Sequence, residues 1–185
     1  GRAPEERVAG GTDKVHIMVK RGWSFLSKVI MMCGVCGSGK TTYAKQKEKE
    51  GYVRLSVDEE MWRIYGRKGV DFPDERYEEL SEKTESMLRE RLLRLIKEEK
   101  NIVIDFSFWS KESRSFYRSI IEAAGSTVQL VYMKASKETL QKRLAKRNLE
   151  LNANAPFEVT DEILEHHFQG FQEPCGEGEI VCLQE

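Results

Sequence analysis

Short, nearly unbroken apolar runs alternate along this chain with longer stretches in which apolar residues recur every third or fourth position. The runs over 29–33, 52–57, 101–105, 127–133 and 180–183 have the length and β-rich content of strands buried on both faces. Helical spacing falls between them, over 40–50, 58–65, 75–99, 111–124, 136–149 and 160–168. In the longest of these, Tyr77, Leu80, Met87, Leu88, Leu92, Leu95 and Ile96 form one apolar stripe with charges elsewhere, which predicts a helix packed on a core. Ser110 and Ser136 stand where N-caps belong, and Gly125 stands where a helix ends. The alternation predicts an α/β domain with a mainly parallel sheet of about five strands, helices on both faces and ligands at the carboxyl ends of the strands.

The first strand runs directly into Gly34-Val35-Cys36-Gly37-Ser38-Gly39-Lys40-Thr41-Thr42. Glycines at 34, 37 and 39 permit a tight turn whose N–H groups aim inward, with Cys36 and Ser38 between them. Lys40 can reach the outer phosphates, Thr41 can hold Mg²⁺, and Thr42 continues into the helix. A strand before the motif and a helix after it are the context that such a phosphate loop requires, so the chain is expected to bind a nucleoside triphosphate.

Composition narrows the remaining classes. The 185 residues carry a formal charge of -1, so no global attraction to nucleic acid or acidic membranes is expected. The sequence has no apolar run of spanning length and no signal-peptide plan, which makes a cytoplasmic location the expectation. Residues 1–28 read as an N-terminal arm, in part expression-derived, with Val15, Ile17 and Val19 alternating like an edge strand; residues 29–185 read as the folded domain. Cys33 and Cys36 are spaced like half of a metal or redox site, with Cys175 and Cys182 as a conceivable other half; the alternative is four packed, reduced thiols. Cys36 is also a candidate for oxidation that would block nucleotide.

Further polar positions fit phosphoryl transfer. Asp105 ends the apolar run that begins at Asn101, where a carboxylate can hold Mg²⁺ opposite Thr41 or serve as a turn residue. Asp58, at the carboxyl edge of the strand containing Leu55, is the candidate general base, with an N-cap as the alternative and no conflict between the two roles. Arg143 and Arg147 lie one helical turn apart, as a phosphate clamp or a solvated face. Trp62, Tyr65 and Trp109 are candidates for an acceptor pocket or for the core.

The loop at 34–42, Ser56-Val57-Asp58, the segment from Ile104 to Arg114, Arg143 with Arg147-Asn148, and Phe171-Gln172-Glu173-Pro174 together resemble the small P-loop kinases. That group includes the polynucleotide kinase domain, chloramphenicol phosphotransferase and zeta-toxin-like kinases. The resemblance covers roughly residue 29 to the C-terminus and implies a P-loop NTPase three-layer αβα sandwich with a helical lid at about 140–158. It implies ATP and Mg²⁺ as cofactors, served by Lys40 and Thr41, with Asp58 activating an acceptor and Arg147 acting over the phosphates. Arg143 would lie near the nucleotide, and the 171–178 loop near its base. Met61 stands where polynucleotide kinases commonly place arginine, with Arg63 two residues on, which counts against recognition of nucleic-acid 5′ ends. The leading expectation is a kinase acting on a hydroxyl of a small molecule. A polynucleotide 5′-hydroxyl kinase and a nucleotide-responsive binding module or ATPase are the alternatives.

Overall fold

A computed structural model describes residues 26–185, so the arm proposed for residues 1–28 lies almost wholly outside the described residues. Strand β1 (Lys28–Cys33) is central. Around it, β2 (Val53–Leu55), β3 (Ile102–Ile104), β4 (Thr127–Ala135) and β5 (Ile180–Gln184) complete one sheet in the order β2-β3-β1-β4-β5. Every pairing is parallel, with Met31 opposite both Ile104 and Leu130. The helices are α1 (Lys40–Lys49), α2 (Val57–Tyr65), α3 (Tyr77–Lys97), α4 (Lys111–Ala123), α5 (Lys137–Arg147) and α6 (Asp161–Gly170).

The unbroken apolar character of β1 follows from burial on both faces. Val29, Met31 and Cys33 point to one side, where they join Leu88, Leu92 and Ile96 of α3 and Tyr117 and Ile121 of α4. Ile30 and Met32 point to the other and pack with Ala44 of α1, Val103, Val131 and Met133. Fully burying one such side chain contributes about 1.5–3 kcal/mol, and polar alternation would forfeit one of the two layers. The result, among the described residues, is the expected three-layer αβα arrangement with a five-stranded parallel sheet.

Two smaller clusters sit at the carboxyl ends of the strands. Leu140 and Leu144 of α5 pack with Val159 and Leu164 against Val35 and Cys36 of the glycine loop. Met61 of α2 packs with Phe72 and with Leu80 of α3. These clusters wall a cleft above the sheet.

Local chemistry explains most helix starts. Ser110, Ser136 and Thr160 accept hydrogen bonds from the N–H of Ser113, Thr139 and Ile163, so each caps its helix. Some boundaries differ from expectation. The second strand shrinks to three residues, because Ser56 leaves it to cap α2. The longest helix begins at Tyr77 after a single 3₁₀ turn at Asp74–Arg76. Its stripe is buried at Leu80, Leu88, Leu92 and Ile96, whereas Met87 is exposed.

Candidate active site

The glycine loop joins β1 to α1 at the centre of the cleft. Gly34, Gly37 and Gly39 adopt φ of 147°, 81° and 99°, in the region that L side chains avoid. At Gly34 a Cβ would stand 2.7 Å from the Met133 carbonyl oxygen and from Ser38 Oγ, so this position also needs glycine for space. Gly39 is the N-cap of α1 and supplies no side-chain cap, leaving the first N–H groups of α1 for an anion. Lys40 Nζ donates to the carbonyls of Gly34 and Val35 at 2.8 and 2.9 Å, inside the loop. Burial lowers the Lys40 pKa, opposed by the negative field of Asp105. Ser38 Oγ is buried without a hydrogen-bond partner among the described residues, and Thr42 is exposed at the rim of the cleft.

All four cysteines are free, and no metal-binding cluster of three or more His, Cys, Asp or Glu occurs among the described residues. Cys36 Sγ lies 3.4 Å from His167 Nδ1. Burial raises the Cys36 pKa, outweighing the lowering effect of Lys40, and raises Cys33 to about 11. Neither thiol is activated as a thiolate.

Opposite the loop, Thr41 Oγ1 donates to Asp105 Oδ1 at 3.3 Å. The other carboxylate oxygen of Asp105 accepts from Arg54 Nε and Nη2 at 2.9 and 2.8 Å. Both side chains of this ion pair are 3% exposed. The donor set suits Mg²⁺: one hydroxyl and one carboxylate, with phosphates and water left to complete the shell, is how this cation is held at nucleotides. Arg54 was not among the expected site residues.

Asp58 is the second residue of α2. Ser56, not Asp58, caps this helix, its Oγ accepting from Glu59 N at 3.3 Å. The Asp58 carboxyl is thereby left to face the cleft. Desolvation, reinforced by Asp105, raises its pKa to about 6, while Arg147, Lys40 and Arg54 pull it down. Arg147, the last residue of α5, donates from Nη2 to the Phe157 carbonyl at 3.4 Å, and its buried Nε has no hydrogen-bond partner among the described residues. Arg143 donates to the Ser38 carbonyl at 3.3 Å and to the Glu185 carbonyl at 3.1 Å, which ties α5 to the loop and the C-terminal strand. Both arginines line the cleft, although they engage different elements.

The cleft has a volume of about 1270 Å³ and brings Gly34, Cys36, Gly37, Gly39, Lys40, Thr41, Thr42, Asp58, Asp105, Arg143 and Arg147 to one surface. Of the expected aromatics only Trp109 lines it; Trp62 lies against Arg67 and Tyr65 against Phe72. The wall beyond Asp58 is formed by Tyr77, Ser81 and Glu85, four residues apart on one face of α3, with Phe106 and Phe157. Ser81 and Glu85 were missed because polar residues on an amphipathic helix read as solvated; their spacing from Tyr77, beside the apolar stripe, was the available signal.

The segment around Asp105 also acquires a structural explanation. Phe108 has φ of 44°, and its carbonyl accepts from the 2% exposed Arg114 at 2.8 Å. Arg114 Nε and Nη2 donate to the two carboxylate oxygens of Glu177, each at 2.8 Å, and Trp109 O accepts from Gln172 N at 2.8 Å. The turn after β3 and the loop before β5 therefore support each other at the cleft, where Phe171 stacks on Tyr132.

A family model described as AAA domain matches residues 29–174. No functionally curated protein matches the sequence significantly. Among solved structures, a sugar kinase from Janibacter sp. is 20% identical with a TM-score of 0.56, over 85% of this chain and 84% of its own. A gluconokinase from Sinorhizobium meliloti is 19% identical with a TM-score of 0.57, over 85% and 83%. A chain of the Pnkp1/Rnl/Hen1 RNA repair complex is 20% identical with a TM-score of 0.58, over 80% of this chain but only 47% of its own. At these identities the likeness establishes the fold.

Proposed function

The chain belongs to the AAA-domain family, and from that premise we propose that it is a P-loop kinase that transfers the γ-phosphoryl group of ATP, with Mg²⁺, to a hydroxyl of a small-molecule acceptor. The observation that carries this reading is the convergence of Asp58 and Arg147, from different helices, on the cleft that holds Lys40 and Asp105.

Each residue takes a distinct role. The N–H groups of the 34–40 loop and the Lys40 ammonium hold the β- and γ-phosphates. Thr41 and Asp105 hold Mg²⁺, which neutralises phosphate charge when bound. The acceptor oxygen forms a bond to the γ-phosphorus as the bond to the β–γ bridging oxygen breaks, and ADP leaves. Asp58 receives the acceptor proton; a carboxyl with a pKa of about 6 is still ionised at neutral pH yet basic enough to take it. Arg147, with a free buried N–H, stabilises charge on the transferring group. Arg143 holds the nucleotide side, and the stretch at about 140–158 serves as the lid.

An acceptor of modest size fits the wall formed by Tyr77, Ser81, Glu85 and Phe106. Met61, at the position where polynucleotide kinases commonly carry arginine, is 4% exposed and packs on Phe72 and Leu80. Arg63 is paired with Glu60 and does not line the cleft. Both observations favour a small molecule over a 5′-hydroxyl nucleic-acid end.

The test is Mg·ATP-dependent ADP release against sugars, sugar acids, nucleosides, amino-sugar and phenicol-like compounds and 5′-hydroxyl oligonucleotides, with Asp58→Ala as control. Release stimulated by a small acceptor and reduced about 10²- to 10⁴-fold in the variant is expected. Stimulation by oligonucleotides alone would establish the nucleic-acid kinase instead. Release that no acceptor changes, with ATP still bound, would establish a nucleotide-responsive module or ATPase.

A further inference from the structure

Arg54 lies on β2, outside the phosphate loop, yet its guanidinium donates to three other side chains, two of them carboxylates. Its side chain is 3% exposed. Nε and Nη2 both donate to one oxygen of Asp105, at 2.9 and 2.8 Å, so the other oxygen is the one presented to Thr41. Nη1 donates to Glu59 Oε2 of α2 at 2.6 Å. Nη2 also donates to Asn154 Oδ1 at 2.6 Å, reaching a residue 100 positions away in the segment between α5 and α6. Asn154 itself is held by its own turn, its N–H donating to Asn152 Oδ1 at 2.9 Å.

One rigid guanidinium therefore connects the carboxylate beside Thr41 to the segment that follows Arg147. The same Nη2 serves both residues, so a movement of Asn154 that draws the planar fork with it also alters the hold on Asp105. A buried pair kept only for stability would need Asp105 and Glu59; it would not need a contact from a distant loop.

We propose that Arg54 is a positioning residue that orients the Asp105 carboxylate toward Thr41 and, through Asn154, couples the 148–157 segment to the metal side of the nucleotide site. This rests on the nucleotide reading above, not on the identity of the acceptor. Coupling of this kind is reciprocal. If the seating of Asn154 sets Asp105 for Mg²⁺, then Mg·nucleotide in turn holds the 148–157 segment down.

The experiment measures calorimetric affinity for a non-hydrolysable ATP analogue, with Mg²⁺ and with EDTA, in the wild type, Arg54→Lys and Asn154→Ala. Chymotryptic cleavage at Leu149 and Leu151, 81% and 39% exposed, is followed in parallel. Arg54→Lys keeps the charge and loses the fork. It is expected to cut the Mg²⁺-dependent gain in affinity about tenfold, as loss of a residue supporting a metal ligand does, with the EDTA affinity little changed. Asn154→Ala is expected to shift the gain the same way by a smaller factor. Mg·nucleotide is expected to protect Leu149 and Leu151 in the wild type and to lose that effect in both variants.

An unchanged Mg²⁺ gain and unchanged protection in both folded variants would overturn the proposal and leave the nucleotide site intact. Should Arg54→Lys fail to fold, Asn154→Ala decides the matter alone, since it leaves the Arg54–Asp105 pair in place. A wild-type protein that binds no nucleotide would overturn both readings.

Discussion

The two ends of the cleft are constructed on different principles. Between Gly34 and Lys40 the site is made from one continuous stretch, and its donors are main-chain N–H groups aimed by three positive φ angles. The opposite wall is made from side chains delivered by α2, α3, the end of β3 and the segment after α5, namely Asp58, Ser81, Glu85, Asp105 and Asn154, with Arg54 of β2 buried behind Asp105. A backbone site depends on local geometry and survives variation at residues such as Cys36. A side-chain site depends on the packing that sets five elements side by side, and that packing resets its groups, as Asp58 shows, its pKa raised first by burial and then by Asp105.

That contrast is sharpest at Lys40, the one side chain on which the backbone end relies. Lys40→Ala is expected to weaken ATP binding and to lower turnover by roughly 10³-fold or more, because a desolvated charge on the phosphates is lost while the loop amides remain. Near-normal steady-state turnover would refute the assignment of the loop.

Arg147 tests the other end. Arg147→Ala is expected to reduce kcat by about 10²- to 10³-fold with ATP affinity little changed, since its charge acts on the transferring group. If calorimetry showed a proportionate loss of ATP affinity, Arg147 would belong with the nucleotide-holding residues, and the two ends would be less distinct than proposed.

The smallest effect is one of stability and pH. Folding raises the Asp58 pKa from 3.8 to about 6, so its ionisation costs the folded state. The wild type therefore loses stability relative to Asp58→Asn as pH rises from about 4 through about 6. Melting curves are expected to place the variant a few degrees higher at pH 7.5 and level with the wild type near pH 4. The same group predicts that kcat/KM falls on the acid side near pH 6. A variant that melted lower at pH 7.5 would assign Asp58 a structural role.

How much of this was legible varies from residue to residue. Met31 and Ile30 announced a strand buried on both faces, and Ser110 and Ser136 announced their helices, because these signals are local. Asp58 was legible as a residue at a strand edge, although its competing role as an N-cap was settled only by Ser56 taking that position. For Trp62 and Tyr65 pocket and packing were equally open, since an aromatic on an amphipathic helix carries no label for which side it will face; only the tertiary structure set them away from the cleft. Arg54 was passed over because a single arginine in a short strand reads as solvated, and its partners lie 5, 51 and 100 residues away.

By itself the sequence determined the five strands, the helices between them and the phosphate loop, all of which arise from periodicity, glycine geometry and capping within a few residues. The tertiary structure alone decided the strand order, the use of Tyr77, Ser81 and Glu85 as a wall, and the junction of Asp105, Arg54 and Asn154. Those features depend on which distant surfaces bury one another, and desolvation and charge pairing take their values only once that packing is complete.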